Sequence, residues 1–217
     1  MSPGLSDPSV SDELLWQRAT KHEGRAFGEL YERHANAVYN HCFRRTASWS
    51  LAEDVTSAVF LEAWRRRKEV RLHGDSIRPW LLAVANNVLR NAQRSVRRQQ
   101  RLISKLPPPT SASAFEGEAD QRIDDERAMG TILERINSLR LEEREIIALC
   151  DWAQLSYAEA ATAMGIPIGT VRSRLSRAHE QLRQLTDDAQ VGDPDNPNGE
   201  HRTELLARTA KERNDEH

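Results

Sequence analysis

The sequence is poor in the residues that catalytic, secreted or metal-binding chains usually need. Only two cysteines occur in 217 residues, Cys42 and Cys150, each inside an apolar helical stretch. They read as small buried hydrophobes, and without a CxxC pair or a Cys/His cluster no structural zinc site is expected. No run of eighteen apolar residues is present, so no helix is expected to span a membrane. The N-terminal residues lack an apolar core with basic flanks, so no signal peptide is expected, and a cytoplasmic setting follows. No glycine-rich phosphate loop occurs, and Glu, His and Asp do not gather at a catalytic spacing. The chain is therefore expected to be no enzyme and to need no cofactor or metal. Strand-type alternation does not persist anywhere, and no internal repeat is visible.

What is present is charge, unevenly placed. Hydrophobic residues make up 38% and charged residues 29% of the chain, which suits small domains with much surface. The net charge of −2 hides a segregation: residues 65–101 hold eleven Lys/Arg against two acids. Residues 116–126 hold six acids against Arg122 alone, and residues 187–217 nine acids against four Lys/Arg. A basic block between acidic segments points to a polyanionic partner.

Apolar spacing predicts helices over residues 12–22, 24–46, 51–68 and 79–104, with Ser11 and Ser50 at the starts of the first and third. Pro107, Pro108 and Pro109 then stop helix formation, because proline lacks the amide a helix needs. A linker rich in Ser, Ala and acids follows. A second set of helices is predicted over 126–138, 141–152, 156–164 and 168–185. The fold expected is all-α: two small helical domains joined by a flexible linker, the second a four-helix, winged-helix-like unit with a helix-turn-helix. Its parts are a disordered 1–10, a first domain over 11–105, the linker over 106–125, a second domain over 126–186 and an acidic extension over 187–217. A short helix over 203–213 is a further expectation.

The strongest local signal is a helix-turn-helix in the second domain. Ser156 with Glu159 makes a capping box, Ala161 permits a close helix crossing, and Gly165 stands where the chain needs positive φ. On the next helix, Val171, Leu175, Ala178 and Leu182 share one face at 100° per residue, while Ser173, Ser176 and Glu180 oppose them. Thr170, Arg172, Ser173, Arg174, Ser176 and Arg177 are the candidate duplex-reading residues, since arginine grips guanine in two-pronged fashion and hydroxyls reach bases or phosphates. Arg174 lies near the apolar edge and is placed to reach a phosphate.

The first domain offers a basic ridge. On the helix after Pro79, Leu81, Val84, Val88 and Ala92 form the expected buried stripe, with Asn86, Arg90, Arg94, Arg97 and Arg101 opposite. A row of arginines along a helix axis suits a nucleic-acid backbone, and Asn86, Asn87 and Asn91 add hydrogen bonds to bases. Trp64 and Trp80 fit either base stacking or core packing, with packing favoured. The helix bearing Glu53, Asp54, Ser57, Phe60, Leu61 and Arg65 has apolar residues on more than one side, which fits deep burial or a second external partner equally.

Together these residues resemble the extracytoplasmic-function (ECF) group of sigma factors, in the sigma-70 family of bacterial RNA polymerase. The resemblance covers residues 25–103 and 126–185. Residues 52–65 look like the group's polymerase-binding helix, residues 78–87 with the following arginines like its −10 reader, and residues 155–175 like its −35 reader. The resemblance implies a subunit that binds core polymerase and directs promoter-specific initiation. Glu53, Asp54, Ser57, Phe60, Leu61 and Arg65 would contact the polymerase, whose largest-subunit coiled coil and flap are the implied docking points. Ser76, Arg78, Asn86, Asn87, Arg90, Asn91, Arg94 and Arg97 would capture one −10 strand. Promoter DNA, duplex and single-stranded, is the implied ligand, and an anti-sigma protein a further partner of the group. Three departures stand out: Ser57 and Ala58 replace polar Gln and Glu, Ala160 and Ala163 replace larger aliphatics, and the acidic extension exceeds the minimal length.

Overall fold

The computed structural model describes residues 10–72, 74–103 and 119–191, with backbone alone for 95–103, 119–120 and 186–191. Among the described residues it holds eight α-helices, one π-helical turn and no strand. The expected helix over 203–213 lies outside the described residues.

Helix α1 (Asp12–Thr20) begins where Ser11 Oγ accepts the Leu14 amide at 3.3 Å. Asp12 and Glu13 in its first turn and Arg18 in its last complement the helix dipole. Helix α2 (Gly24–Thr46) buries Ala26, Leu30, Val38 and Cys42 and ends on Ala47 in the left-handed conformation. Helix α3 (Trp49–Arg66) is capped by Ser48, not Ser50 as its apolar pattern suggested. Ser48 Oγ accepts the Leu51 amide at 3.4 Å, and the Trp49 ring, stacked on Phe43 at 3.5 Å, fixes the entry two residues earlier. Helix α4 (Arg78–Ile103) carries Pro79 in its first turn, where no intrahelical amide bond is lost.

These helices enclose a core of Leu15, Leu30, Val59, Leu81, Leu82 and Leu89. Each such side chain stabilises the fold by about 1.5–3 kcal/mol on burial. Aromatic rings continue the core: Trp80 meets Trp16 at 5.6 Å, Trp64 meets Phe27 at 5.1 Å and Tyr31 meets Phe60 at 4.7 Å, all edge to face. Trp64 and Trp80 are thus packing residues.

Helix α5 (Ala119–Ile136) starts earlier than composition suggested. Asp120 falls in its first turn, where the dipole favours negative charge. Helix α6 (Leu141–Ile147) runs into a π-helical turn (Ala148–Trp152), in which the Ala153 amide reaches back to the Ala148 carbonyl at 3.0 Å. Helix α7 (Tyr157–Met164) has the expected capping box: Ser156 Oγ accepts the Glu159 amide at 3.3 Å, and the Ser156 amide donates to Glu159 Oε2 at 2.8 Å. Gly165 adopts φ 65°, and the Ile166 amide closes the end on the Ala161 carbonyl at 3.1 Å. Helix α8 (Ile168–Val191) buries Val171, Leu175 and Ala178, three of the four residues assigned to its apolar face.

The described residues up to Ala178 form one compact unit in which the two helical sets pack together, α7 lying against α4 and α5 against α2. The stem over 179–191 is a separate unit, along which Glu180 pairs with Arg183 at 2.7 Å.

Candidate nucleic-acid interface

Helix α8 presents Arg172, Ser173, Ser176 and Arg177 to solvent, while Thr170 and Arg174 are half-buried. The Arg172 guanidinium lies 5.9 Å from the Tyr157 ring centroid on α7, a distance at which the ring's negative face still attracts it. Arg177 Nε donates to the Ser173 carbonyl at 3.2 Å, and Ser173 Oγ donates to the Thr170 carbonyl at 3.1 Å. The helix-turn-helix therefore shows a polar, cationic outer face over an apolar inner one.

Helix α4 departs from the expected ridge. Its buried arc runs from Val84 through Leu81, Ala85, Leu89 and Leu82 to Asn86, about 200° at 100° per residue. Asn86 is only 3% exposed and accepts a hydrogen bond from His41 Nε2 at 2.9 Å. Arg90 is half-buried and grips Glu145 of α6 with two prongs, Nε to Oε1 at 2.5 Å and Nη2 to Oε2. The arc is wide because α4 is covered twice, by its own set and by the second one. Asn87, Asn91 and Arg94 remain exposed on the open side. The side chains of Arg97 and Arg101 lie outside the described residues.

The loop before α4 is anchored. Ser76 Oγ donates to Asp12 Oδ2 at 3.0 Å and accepts the Arg78 amide at 3.2 Å. Asp12 Oδ2 also accepts the Ile77 amide at 3.1 Å and His34 Nε2 at 2.6 Å. Burial alone would raise the Asp12 carboxyl, but the His34 hydrogen bond and charge, with the Ile77 and Ser76 donors, outweigh it and pull it down to about 2. Arg78 is half-buried, and its buried Nε has no hydrogen-bond partner among the described residues.

On α3, Glu53, Asp54, Ser57, Leu61 and Arg65 are exposed, whereas Phe60 is buried among Phe27 and Tyr31. The helix does both things its pattern allowed: one face lies in the core, and the other shows Leu61 at 50% exposure beside a run of charges. Tyr31 of α2 is 47% exposed.

Between the two helical sets lies a polar seam that the sequence reading missed. Glu145 is completely buried, facing Arg90 and Arg45. Burial pulls the Arg45 guanidinium down to about 10 against the opposing pull of Glu145, and the Glu145 hydrogen bond raises Arg90. His41 is also fully enclosed; burial lowers it to about 4, with Arg45 adding repulsion and the Asn86 bond opposing. Arg44 Nη1 donates to the Trp152 carbonyl at 2.7 Å, and the Trp49 amide donates to Glu126 Oε1 at 2.8 Å. Glu145 had a signal: it falls one turn from Leu141 and Leu149, on the apolar side of α6. Cys42, as expected, is inert, its thiol pushed up to about 12 by burial.

Two family models and several relatives match the chain. A family model described as Sigma-70 region 2 matches residues 30–101, and one described as Sigma-70, region 4 matches residues 129–182. The RNA polymerase sigma factor NccH of Alcaligenes xylosoxydans xylosoxydans is 31% identical over 201 residues, covering 86% of this chain and all of that one. The ECF RNA polymerase sigma factor SigL of Mycobacterium tuberculosis is 32% identical over 157 residues, covering 71% of this chain and 85% of that one. Two solved structures share the fold. One is CnrH in complex with the cytosolic domain of CnrY, with a TM-score of 0.62, 23% identity, and 82% and 99% of the two chains covered. The other is the sigma factor RpoE with the anti-sigma factor NepR from Bartonella quintana, with a TM-score of 0.55, 23% identity, and 75% and 98% covered.

Proposed function

The chain belongs to the ECF group of the sigma-70 family of bacterial RNA polymerase sigma factors, and from that premise we propose how its surfaces divide the work of initiation. Sigma factors bind core polymerase and direct promoter-specific transcription; they are initiation factors, not catalysts. No described helix is long and apolar enough to cross a membrane.

In this reading residues 11–105 form the unit that docks on polymerase and captures one −10 strand, and residues 126–186 the unit that reads the −35 duplex. Arg172, Ser173, Ser176 and Arg177 enter the major groove, with Thr170 and Arg174 on phosphates. Glu53, Asp54, Ser57, Leu61 and Arg65 contact the largest subunit, while Phe60 supports that face from beneath. Asn87, Asn91 and Arg94, with Arg97, hold the −10 strand; Ser76 and Arg78 shape the loop that receives an extruded base. Asn86 and Arg90 join them only when freed from the partners described above. Holding unpaired bases offsets an unstacking cost of a few kcal/mol, so strand capture is binding work. An anti-sigma protein is a proposed partner, by analogy with the RpoE relative.

The observation that carries this reading is the pairing, in one chain, of a cationic helix-turn-helix face on α8 with an exposed Asn/Arg face on α4. Transcription in vitro with core polymerase and a pool of upstream fragments tests it. Initiation at defined sites, with Arg94→Ala lowering open-complex formation more than polymerase binding, is the expected result. Duplex binding without polymerase, and no defined starts with it, would instead mark a free-standing DNA-binding regulator.

A further inference from the structure

Two buried guanidinium nitrogens in the seam have nothing to donate to. Arg45 of α2 is only 8% exposed, and its buried Nη1 has no hydrogen-bond partner among the described residues. Arg144 of α6 is half-buried, and its Nε is buried and likewise without a partner among them. The same two side chains line one cavity of about 20 Å³. That volume admits a single guest of roughly the size of a water molecule.

The wall of this cavity favours one kind of guest. A guanidinium donates only and stays protonated at neutral pH. Asn137 also lines the cavity, but its Oδ1 already accepts Arg144 Nη1 at 2.5 Å. Leu133, Ile136 and Trp152 supply apolar walls, and Gln93 an amide that can turn its donor end inward. A water molecule needs acceptors for its own two protons, whereas an anion needs donors alone.

Charge points the same way. Arg45, Arg90 and Arg144 stand together in this part of the seam with Glu145 as their acid. Glu145 commits both oxygens to Arg90. The other buried acid of α6, Glu143, accepts the Arg140 amide at 3.1 Å. Arg45 and Arg144 are therefore left as like charges beside one cavity. Burial is the main force pulling Arg45 down, and repulsion from Arg144 and Arg90 adds to it. A buried cation without a bonded partner is costly, and a guest of opposite charge offsets that cost.

We propose that this cavity is a binding site for one monatomic anion of chloride size, held by Arg45 Nη1 and Arg144 Nε. Its volume excludes sulfate, phosphate and the phosphates of a nucleic acid. The site uses none of the residues assigned to DNA or polymerase and does not depend on that assignment. Arg45 lies within the region 2 match and Arg144 within the region 4 match, so the two halves of the chain share the ion.

Thermal melts of the full chain test this, with sodium gluconate replaced stepwise by sodium chloride at constant ionic strength. Gluconate is too large to enter. The expected result is a melting temperature that rises by about 3 °C and then saturates. Bromide should act as chloride does. In parallel, the chain should broaden the chloride nuclear magnetic resonance line, and added bromide should sharpen it again. Arg144→Lys keeps the charge and puts a methylene where Nε stands, so it is expected to lose most of both effects. Arg127→Lys, at an exposed arginine of α5 outside the cavity, should keep both. A parent chain indifferent to chloride overturns the proposal, because water then answers the two donors. A rise that never saturates, or one of equal size in Arg144→Lys, is a general salt effect and overturns it too. Should Arg144→Lys lose its helical signal, Arg144→Gln, which removes the charge as well, is read by the same criteria.

Discussion

Asp12, the first residue of α1, accepts the backbone amide of Ile77, 65 residues later, at 3.1 Å. The same oxygen takes the Ser76 hydroxyl and His34. One carboxylate thus sets the point at which α4 begins, and with it the loop assigned to base capture. Asp12→Ala is expected to lower the unfolding free energy by about 2–4 kcal/mol, since it removes the acceptor of the Ile77 amide, Ser76 and His34 and the ion pair with Arg33. Urea denaturation reads this directly, and a loss below about 0.5 kcal/mol would place the anchor elsewhere. The pH dependence has a definite sign. The folded carboxyl at about 2 lies below its ordinary 3.8, so its stabilisation is complete above that value and is lost as pH falls toward 2. The amount at stake is about 2 kcal/mol.

His41 titrates with the same sign at a higher pH. The folded group, at about 4, sits below its ordinary 6.5, so the unfolded chain takes up the proton first. Stability is full above pH 6.5, declines as pH falls through the interval, and stops declining near 4. The loss amounts to about 3 kcal/mol. His41→Gln, which keeps a donor for Asn86, is expected to flatten this part of the profile. Unfolding curves at pH 7 and pH 4.5 for both chains make the comparison; equal slopes would remove His41 as the cause.

Gly165 holds the turn between α7 and α8 at φ 65°, and a Cβ there would meet nothing within 4 Å. The cost of substitution is therefore backbone strain alone. Gly165→Ala should destabilise by about 1 kcal/mol and Gly165→Asn by less, because asparagine tolerates the left-handed region. Thermal melts of the two variants rank them. A larger loss for Asn than for Ala would mean that the turn is held by something other than φ.

Arg177 stands exposed one helical turn beyond Ser173 on α8. If it reads a base, Arg177→Ala weakens recognition of the −35 element by about 1–3 kcal/mol and relaxes selectivity at one position. Competition between promoter variants in polymerase-dependent transcription shows this. A uniform loss across all variants would reassign Arg177 to phosphate.

Much of the fold was legible one helix at a time. The apolar spacing of α2, the capping box at Ser156 and Glu159, and the glycine at 165 are local signals, and each led to the element observed. On α8, the packing of Val171, Leu175 and Ala178 leaves Arg172, Ser173, Ser176 and Arg177 exposed, while Thr170 and Arg174 are half-buried. The α4 candidates were less legible. Periodicity places Asn86 and Arg90 opposite Leu81, but it says nothing of a second neighbour arriving on that side. Phe60 was drawn from the sequence as a contact residue for the same reason: its exposure depends on where Phe27 and Tyr31 come to rest.

Helix positions, caps and the segregation of charge are properties of residues within a few turns of one another, and the sequence by itself determined them. Which side of α4 meets solvent, and that the buried Glu145 meets Arg90 from the other helical set, only the tertiary structure decided. Both depend on two helical sets, distant along the chain, closing over the same surface and selecting among side chains that are locally equivalent.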